Sequence, residues 1–272
     1  MAWRRPRTRL NSVDLPTFGR PMMATVNMIE VTVACSRRTL QMPFGYNALM
    51  CTTVYPAPDW ATIRTVLLDM DGTLLDRAFD DHFYLEALPA HYAAANRMPV
   101  EAARERLVAL YRAVEGDLDW TDVDYWARTL KLDVPAIKDS LRHRIAPHPD
   151  SLVFLTFLRE RKIPVHLVTN AHPKTLAIKM AQTGLEAYLD RAITAFDVGC
   201  LKSKVDYWVK SEVILGFDPA ATLYVDDDEA ALLSAETHGI RHLYHRARSS
   251  STSPPQVSAK YRSIETFHAL MK

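Results

Sequence analysis

One alternation constrains this chain more than anything else. From Thr65 onward, short runs rich in β-branched and aromatic residues alternate with stretches of helical periodicity, the pattern that a parallel sheet covered by helices requires. The runs are Thr65–Asp69, Val165–Thr169, Arg191–Thr194, Thr222–Asp226 and Ile240–Tyr244. Pro173 can open a helix that Gly184 closes, and Asp228 can cap one that ends near Gly239. This predicts a doubly wound α/β fold with a five-stranded parallel sheet. Residues 70–164, between the first two runs, far exceed what one crossover helix needs. Residues 80–145 carry helical periodicity in pieces, for example Glu101–Arg112 after Pro99, and predict a small helical domain inserted at the carboxyl end of the first strand. Open α/β sheets bind their ligands at that edge, so the insertion is placed to act as a lid.

The expected division is a core of residues 59–79 and 146–272, a helical cap of 80–145 and an extension of 1–58. The extension holds seven arginines and no lysine, with Asp14 and Glu30 as its only acids. Organelle import signals share such a composition, but neither an apolar core region nor a clear amphipathic helix follows. We read it as a disordered tail, or as the product of a start upstream of Met42 or Met50. The Ser-rich stretch Arg246–Pro255 reads as a loop.

Composition removes several functions. The 48% of hydrophobic residues suffices for a core, and no window is apolar and long enough to span a membrane. A net charge of +1 supports no general attraction to nucleic acid or to an anionic surface. Cys35, Cys51 and Cys200 are too few and too scattered for a disulfide framework or a thiolate metal site, which points to a soluble, cytoplasmic protein. The eight glycines stand singly, so neither a dinucleotide fingerprint nor a Walker loop exists; G-x-S-x-G and H-E-x-x-H are also absent. An enzyme built from this chain must work with carboxylates.

The carboxylates stand at the strand ends. The run Val66-Leu67-Leu68 breaks off into Asp69-Met70-Asp71-Gly72-Thr73, and Leu223-Tyr224-Val225 runs into Asp226-Asp227-Asp228. Acids at i and i+2 share one side, so Asp69 and Asp71 can face one point above the sheet, with Gly72 permitting a turn that brings backbone N–H groups near a ligand. Adjacent carboxylates repel unless a cation sits between them, and a hard cation such as Mg²⁺ suits a few carboxylate oxygens plus a phosphate. Helix caps and solvated loop acids are the plain alternative; it suits Asp228 but not Asp69, at the end of a buried strand.

At these residues the chain resembles the haloacid dehalogenase superfamily of phosphohydrolases, a Rossmann-like fold with an inserted cap. The first motif stands as Asp69-Met70-Asp71-Gly72-Thr73, the second as Leu167-Val168-Thr169-Asn170 and the fourth as Asp226-Asp227. The third is a lysine that many members follow with Pro; here Gly199-Cys200-Leu201-Lys202-Ser203-Lys204 lacks the Pro, leaving Lys202 as the candidate and Lys204 as its understudy. Thr65–Asp76, Leu167–Pro173, Ala177–Asp190 and Asp124-Tyr125-Trp126 further resemble the bacterial GMP/IMP nucleotidase branch, 5′-nucleotidases of purine mononucleotides.

The resemblance implies Asp69 as nucleophile and Asp71 as general acid and base. It implies Mg²⁺ held by Asp69, the Asp71 carbonyl and Asp226, with Asp227 ligating through water or orienting the ligands. The Thr169 hydroxyl and Asn170 N–H would bind phosphoryl oxygens, and Lys202 would offset charge. Read locally, Thr169 is also a strand-end residue, Asn170 a helix cap, Lys202 a surface lysine, and His172 either a helix-start residue or a neighbour of the site. Tyr84, Trp120, Tyr125 and Trp126 can stack on a purine or fill the cap core. A sugar phosphatase or phosphomutase, and a non-catalytic binding protein, are the alternative functions. Both acids of the first motif argue against the last, and 2-haloacid dehalogenases lack the second acid, having no leaving alkoxide to protonate.

Overall fold

The computed structural model describes residues 57–272; the predicted extension lies outside them except for Ala57 and Pro58. Six strands, β1 (Thr65–Leu68), β2 (Val165–Thr169), β3 (Arg191–Thr194), β4 (Thr222–Asp226), β5 (His242–Arg246) and β6 (Arg262–Ile264), form one sheet in the order β3-β2-β1-β4-β5-β6. All adjacent pairs are parallel, with Leu68 beside Leu167 on one flank and beside Val225 on the other. The chain winds outward from β1 in one direction and resumes at β4 in the other. The crevice where the order reverses therefore opens above β1 and β4, the two strands that lead into the acids.

β1 is buried throughout because the sheet is covered on both faces. Val66 and Leu68 pack with Leu167, Val225 and Phe154 on one side, while Leu67 packs with Val168, Tyr224 and Trp208 on the other. Each large apolar side chain so buried contributes about 1.5–3 kcal/mol. This surface holds the strand ends in register and thereby sets the acids at one height.

The sheet differs from the five-strand expectation at its far edge. Ile240 belongs to a helix stop instead of a strand: Gly239 takes a left-handed φ of 116° and the Ile240 N–H reaches back to the Ala235 carbonyl at 3.0 Å. The fifth strand accordingly starts at His242, not Ile240. β6 escaped the sequence reading because three residues, Arg-Ser-Ile, carry no usable periodicity.

Between β1 and β2 lie α1 (Ala78–His82), α2 (Leu88–Asn96), α3 (Val100–Ala113), α4 (Val123–Leu130), α5 (Val134–Ser140) and α6 (Ser151–Glu160). A single π-helical turn, Phe83–Ala87, joins α1 to α2. The π-helical turn and α2 to α5 enclose a core of their own built on Phe83, Leu88, Leu107, Tyr111, Trp126 and Val134, so they form an inserted helical cap. Tyr111 meets Trp126 edge to face at 5.0 Å, and the indole N–H of Trp126 donates to the Trp120 carbonyl at 3.0 Å. Tyr84, Trp120 and Trp126 are thus interior residues of the cap, and Tyr125 packs against them half-buried. After β2 come α7 (Pro173–Thr183), α8 (Ala195–Val198), α9 (Val205–Leu215) and α10 (Glu229–His238), with Asp228 capping α10 through the Ala230 N–H. No helix among the described residues is long and apolar enough to cross a membrane.

Candidate active site

Parallel pairing of β1 with β4 sets Asp69 beside Asp226, since the Asp69 N–H donates to the Val225 carbonyl at 3.1 Å. Both carboxylates are buried, 4% and 0% exposed, and two ionised carboxylates so placed repel unless a cation sits between them. Lys202, 2% exposed, supplies it: its Nζ bonds Asp69 Oδ1 and lies 2.6 Å from Asp226 Oδ2. The Tyr224 hydroxyl donates to the same Asp226 oxygen, and Asp226 Oδ1 accepts the Asp228 N–H at 2.8 Å.

Lys202 is fixed from both ends of its backbone. Its N–H donates to Asn170 Oδ1 at 2.9 Å, and its carbonyl accepts from Trp208 Nε1 at 2.9 Å and from the Ser234 hydroxyl. Lys204 instead stands exposed at the start of α9. Of the two lysines left open by the sequence, the fold brings Lys202 to the carboxylates. Asn170 acquires a side-chain task that the sequence did not suggest. It is not the cap of α7, which is His172 accepting from the Lys174 N–H at 3.2 Å. His172 faces the cap, 3.6 Å from Asp122 and 3.9 Å from Asp124. Thr169, 1% exposed, accepts the Ala171 N–H at 3.0 Å.

Asp227 carries the site's third close carboxylate. One oxygen each from Asp69, Asp226 and Asp227 lies within 4.8 Å of the others, and Asp69 Oδ2 is buried with no hydrogen-bond partner. Three carboxylates and one orphaned oxygen, all hard donors, fit a divalent cation. Arg77, just beyond the first motif, also pairs with Asp227 at 2.9 Å; nothing in its sequence position signalled this. Gly72 makes room for that carboxylate: its φ is 88°, and a Cβ there would overlap the Asp227 side chain. Its own N–H is taken by the Leu75 carbonyl at 2.8 Å, so the glycine serves the approach of Asp227 and not a ligand through that group. Gly72→Ala will therefore cost about 1–3 kcal/mol of stability, read as a lower denaturant midpoint with unchanged slope.

Burial drives the electrostatics. It pushes the Asp69 carboxyl well above the usual carboxylate range, against Lys202 and with help from Asp226, Asp227 and Asp71. Lys202 goes up because Asp226 and Asp69 outweigh the burial that would lower it. Burial raises Asp227 to about 7, opposed by Arg77 and aided by Asp226, and raises Asp228 to about 7, aided by Asp226. An acid raised on folding binds more protons folded than unfolded, so its contribution falls as pH rises through the interval between its unfolded value and about 7. The melting temperature of chelator-treated protein will drop by roughly 5 °C or more between pH 5 and pH 8. Added Mg²⁺ will restore it at pH 8 and change it little at pH 5, checked by thermal scans in both buffers.

Asp71 turns away from this array. Its side chain is a quarter exposed and its Oδ1 lies 2.5 Å from Lys179 Nζ; burial still raises its carboxyl despite Lys179. The sequence analysis did not single out Lys179, one of two lysines in α7.

A family model described as haloacid dehalogenase-like hydrolase matches residues 63–239. GMP/IMP nucleotidase YrfG of Escherichia coli (strain K12) is 37% identical over 183 residues, covering 67% of this chain and 82% of the relative. The Shigella flexneri protein of the same name matches equally. Among solved structures, a HAD phosphatase from Thermococcus onnurineus aligns with a TM-score of 0.66 at 24% identity, over 76% of this chain and 96% of that one. The defluorinating L-2-haloacid dehalogenase Rha0230 aligns at 0.55 and 18% identity, over 80% and 97%. These two share the fold, and a fold that serves both chemistries leaves the reaction to the residues at the sheet edge.

Proposed function

The chain belongs to the haloacid dehalogenase-like hydrolases, and from that premise we propose that it is a Mg²⁺-dependent phosphomonoester hydrolase that dephosphorylates purine mononucleotides, GMP and IMP, through an aspartyl-phosphate. One observation carries the reaction class: a buried carboxylate, Asp69, with one oxygen held by Lys202 and the other without a partner, and a second acid two residues on. The nucleotide rests on the 37% identical relative.

A phosphate monoester repels nucleophiles, so its charge must be offset before attack. Lys202 does this for the phosphoryl group and for Asp69, while the Thr169 hydroxyl and the Asn170 N–H hold phosphoryl oxygens. Asp69, Asp226 and the Asp71 carbonyl, with Asp227 beside them, would hold Mg²⁺, which would supply further positive charge to offset that of the phosphate. The Asp69 carboxylate attacks phosphorus, and the bond to the ribose oxygen breaks with its electron pair leaving on that oxygen. Asp71 gives its proton to the leaving oxygen, then takes one from the water that attacks the aspartyl-phosphate, freeing phosphate and the Asp69 carboxylate.

A second reading keeps the mechanism and replaces the nucleotide with a sugar phosphate or another small phosphomonoester, as a phosphatase or a mutase. The commitment of Tyr84, Trp120 and Trp126 to the cap interior favours it, since they do not offer a free face for a purine. Phosphate release from a panel of nucleoside monophosphates and sugar phosphates, with and without Mg²⁺, separates the two. Release confined to GMP and IMP is the expected result. Preference for a sugar phosphate would replace the substrate, and no release from any compound would overturn the reaction class.

A further inference from the structure

Behind Asp71 runs a buried chain of alternating charges that the reaction just described does not use. Lys179 Nζ lies 2.5 Å from Asp71 Oδ1 and 2.6 Å from Asp80 Oδ2, and Asp80 Oδ1 lies 2.9 Å from Lys138 Nζ. Both lysine side chains are almost wholly enclosed, at 1% and 3% exposure. Lys138 sits over the ring faces of Phe83 at 4.7 Å and Tyr84 at 4.8 Å. Enclosing the charges of Lys179, Asp80 and Lys138 costs several kcal/mol per ion before pairing repays it, and apolar side chains of similar volume would commonly stabilise such a place at least as well. Stability alone therefore gives no reason for this chain of charges.

Its course supplies one. Lys179 stands on α7 of the core, Asp80 on α1 where the backbone leaves the core, and Lys138 on α5 of the cap. A carboxyl that delivers a proton must be aimed at one leaving oxygen, yet Asp71 is a quarter exposed and is otherwise free to rotate into solvent. We propose that Lys179 is the positioning residue for the Asp71 carboxyl, held in place by Asp80 and Lys138, so that the exit helix and the cap together aim the proton-transfer group. This rests on the reading of Asp71 as general acid given above. Only a cap seated as in this structure completes the chain, which ties proton delivery to cap position.

The test uses two substrates that differ in their need for a proton. A nucleotide expels a poor alkoxide leaving group, whereas p-nitrophenyl phosphate expels a stable phenolate unaided. First-turnover rates by rapid quench on GMP and on p-nitrophenyl phosphate isolate the step that forms the aspartyl-phosphate. Lys179→Met is expected to slow that step about 10²-fold or more for GMP but less than about tenfold for p-nitrophenyl phosphate, with KM for GMP little changed. Lys179→Arg is expected to recover most of the loss. Asp80→Asn keeps the side-chain shape and is expected to give the same substrate-selective loss at smaller size; it decides the matter if Lys179→Met does not fold. Equal losses on both substrates, or a loss seen only in KM, would overturn the positioning role and leave the phosphatase reading standing. No turnover of either substrate by the unaltered protein would overturn that reading and the inference with it.

Discussion

Asp69→Asn will abolish phosphate release, by about 10⁴-fold or more, and will leave the melting temperature of the metal-free protein unchanged or higher. Amide and carboxylate have nearly the same shape, so the buried site keeps its packing, but the amide cannot form the acyl phosphate. The stability half of the result follows from charge. Burial, together with Asp226, Asp227 and Asp71, already holds the Asp69 carboxyl well above its ordinary range, which means that its ionised form is disfavoured in the fold. Removing that charge relieves three neighbouring carboxylates and leaves Lys202 paired with Asp226 at 2.6 Å. Initial rates and thermal scans on the same preparation check both halves; a variant that still releases phosphate at more than a few per cent of the original rate would remove Asp69 from its role.

Lys202→Met will do the opposite to stability. The methionine fills much the same space, and the backbone stays anchored by Asn170, Trp208 and Ser234. What disappears is the ammonium that pairs with both Asp69 and Asp226, each buried, and breaking such an array by deleting one partner costs about 3–5 kcal/mol. Activity will fall about 10³-fold at the same time, because the charge that offsets phosphate and nucleophile is gone. The sign with pH is distinctive. Without Lys202 the Asp69 carboxyl rises further, so the folded protein holds its proton over a wider interval and the variant loses stability more steeply than the original as pH increases. Denaturation curves at pH 5 and pH 8 measure this; a loss of similar size at both values would show that the lysine acts through packing.

These two residues also mark how far local reasoning reaches. Asp69 was readable because everything that defines it is adjacent: an apolar run that stops, an acid, a second acid two places on and a glycine. β2, β3, β4 and the helices α7 and α10 were readable for the same reason, with Pro173, Gly184, Asp228 and Gly239 as their punctuation. Strand five slipped where Ile240, apolar and β-branched, proved to be the contact that follows a helix-ending glycine; propensity does not distinguish the two uses.

The sequence preferred Lys202 to Lys204 only by its place three residues after Gly199 and could not decide between them. Their difference arises from a partner 133 residues away in sequence. The same holds for Lys179, whose carboxylate partners lie 108 and 99 residues upstream. It holds for Gly72 as well, whose missing Cβ makes room for Asp227, just beyond the end of β4. By itself the sequence determined the alternation of strands and helices, the inserted cap and the strand ends at which acids gather, because each of these depends on neighbours within a turn or a strand. Only the tertiary structure decided which lysine neutralises them, what holds Asp71 and which groups cap and brace the loops, because those choices depend on distances between segments that local periodicity does not encode.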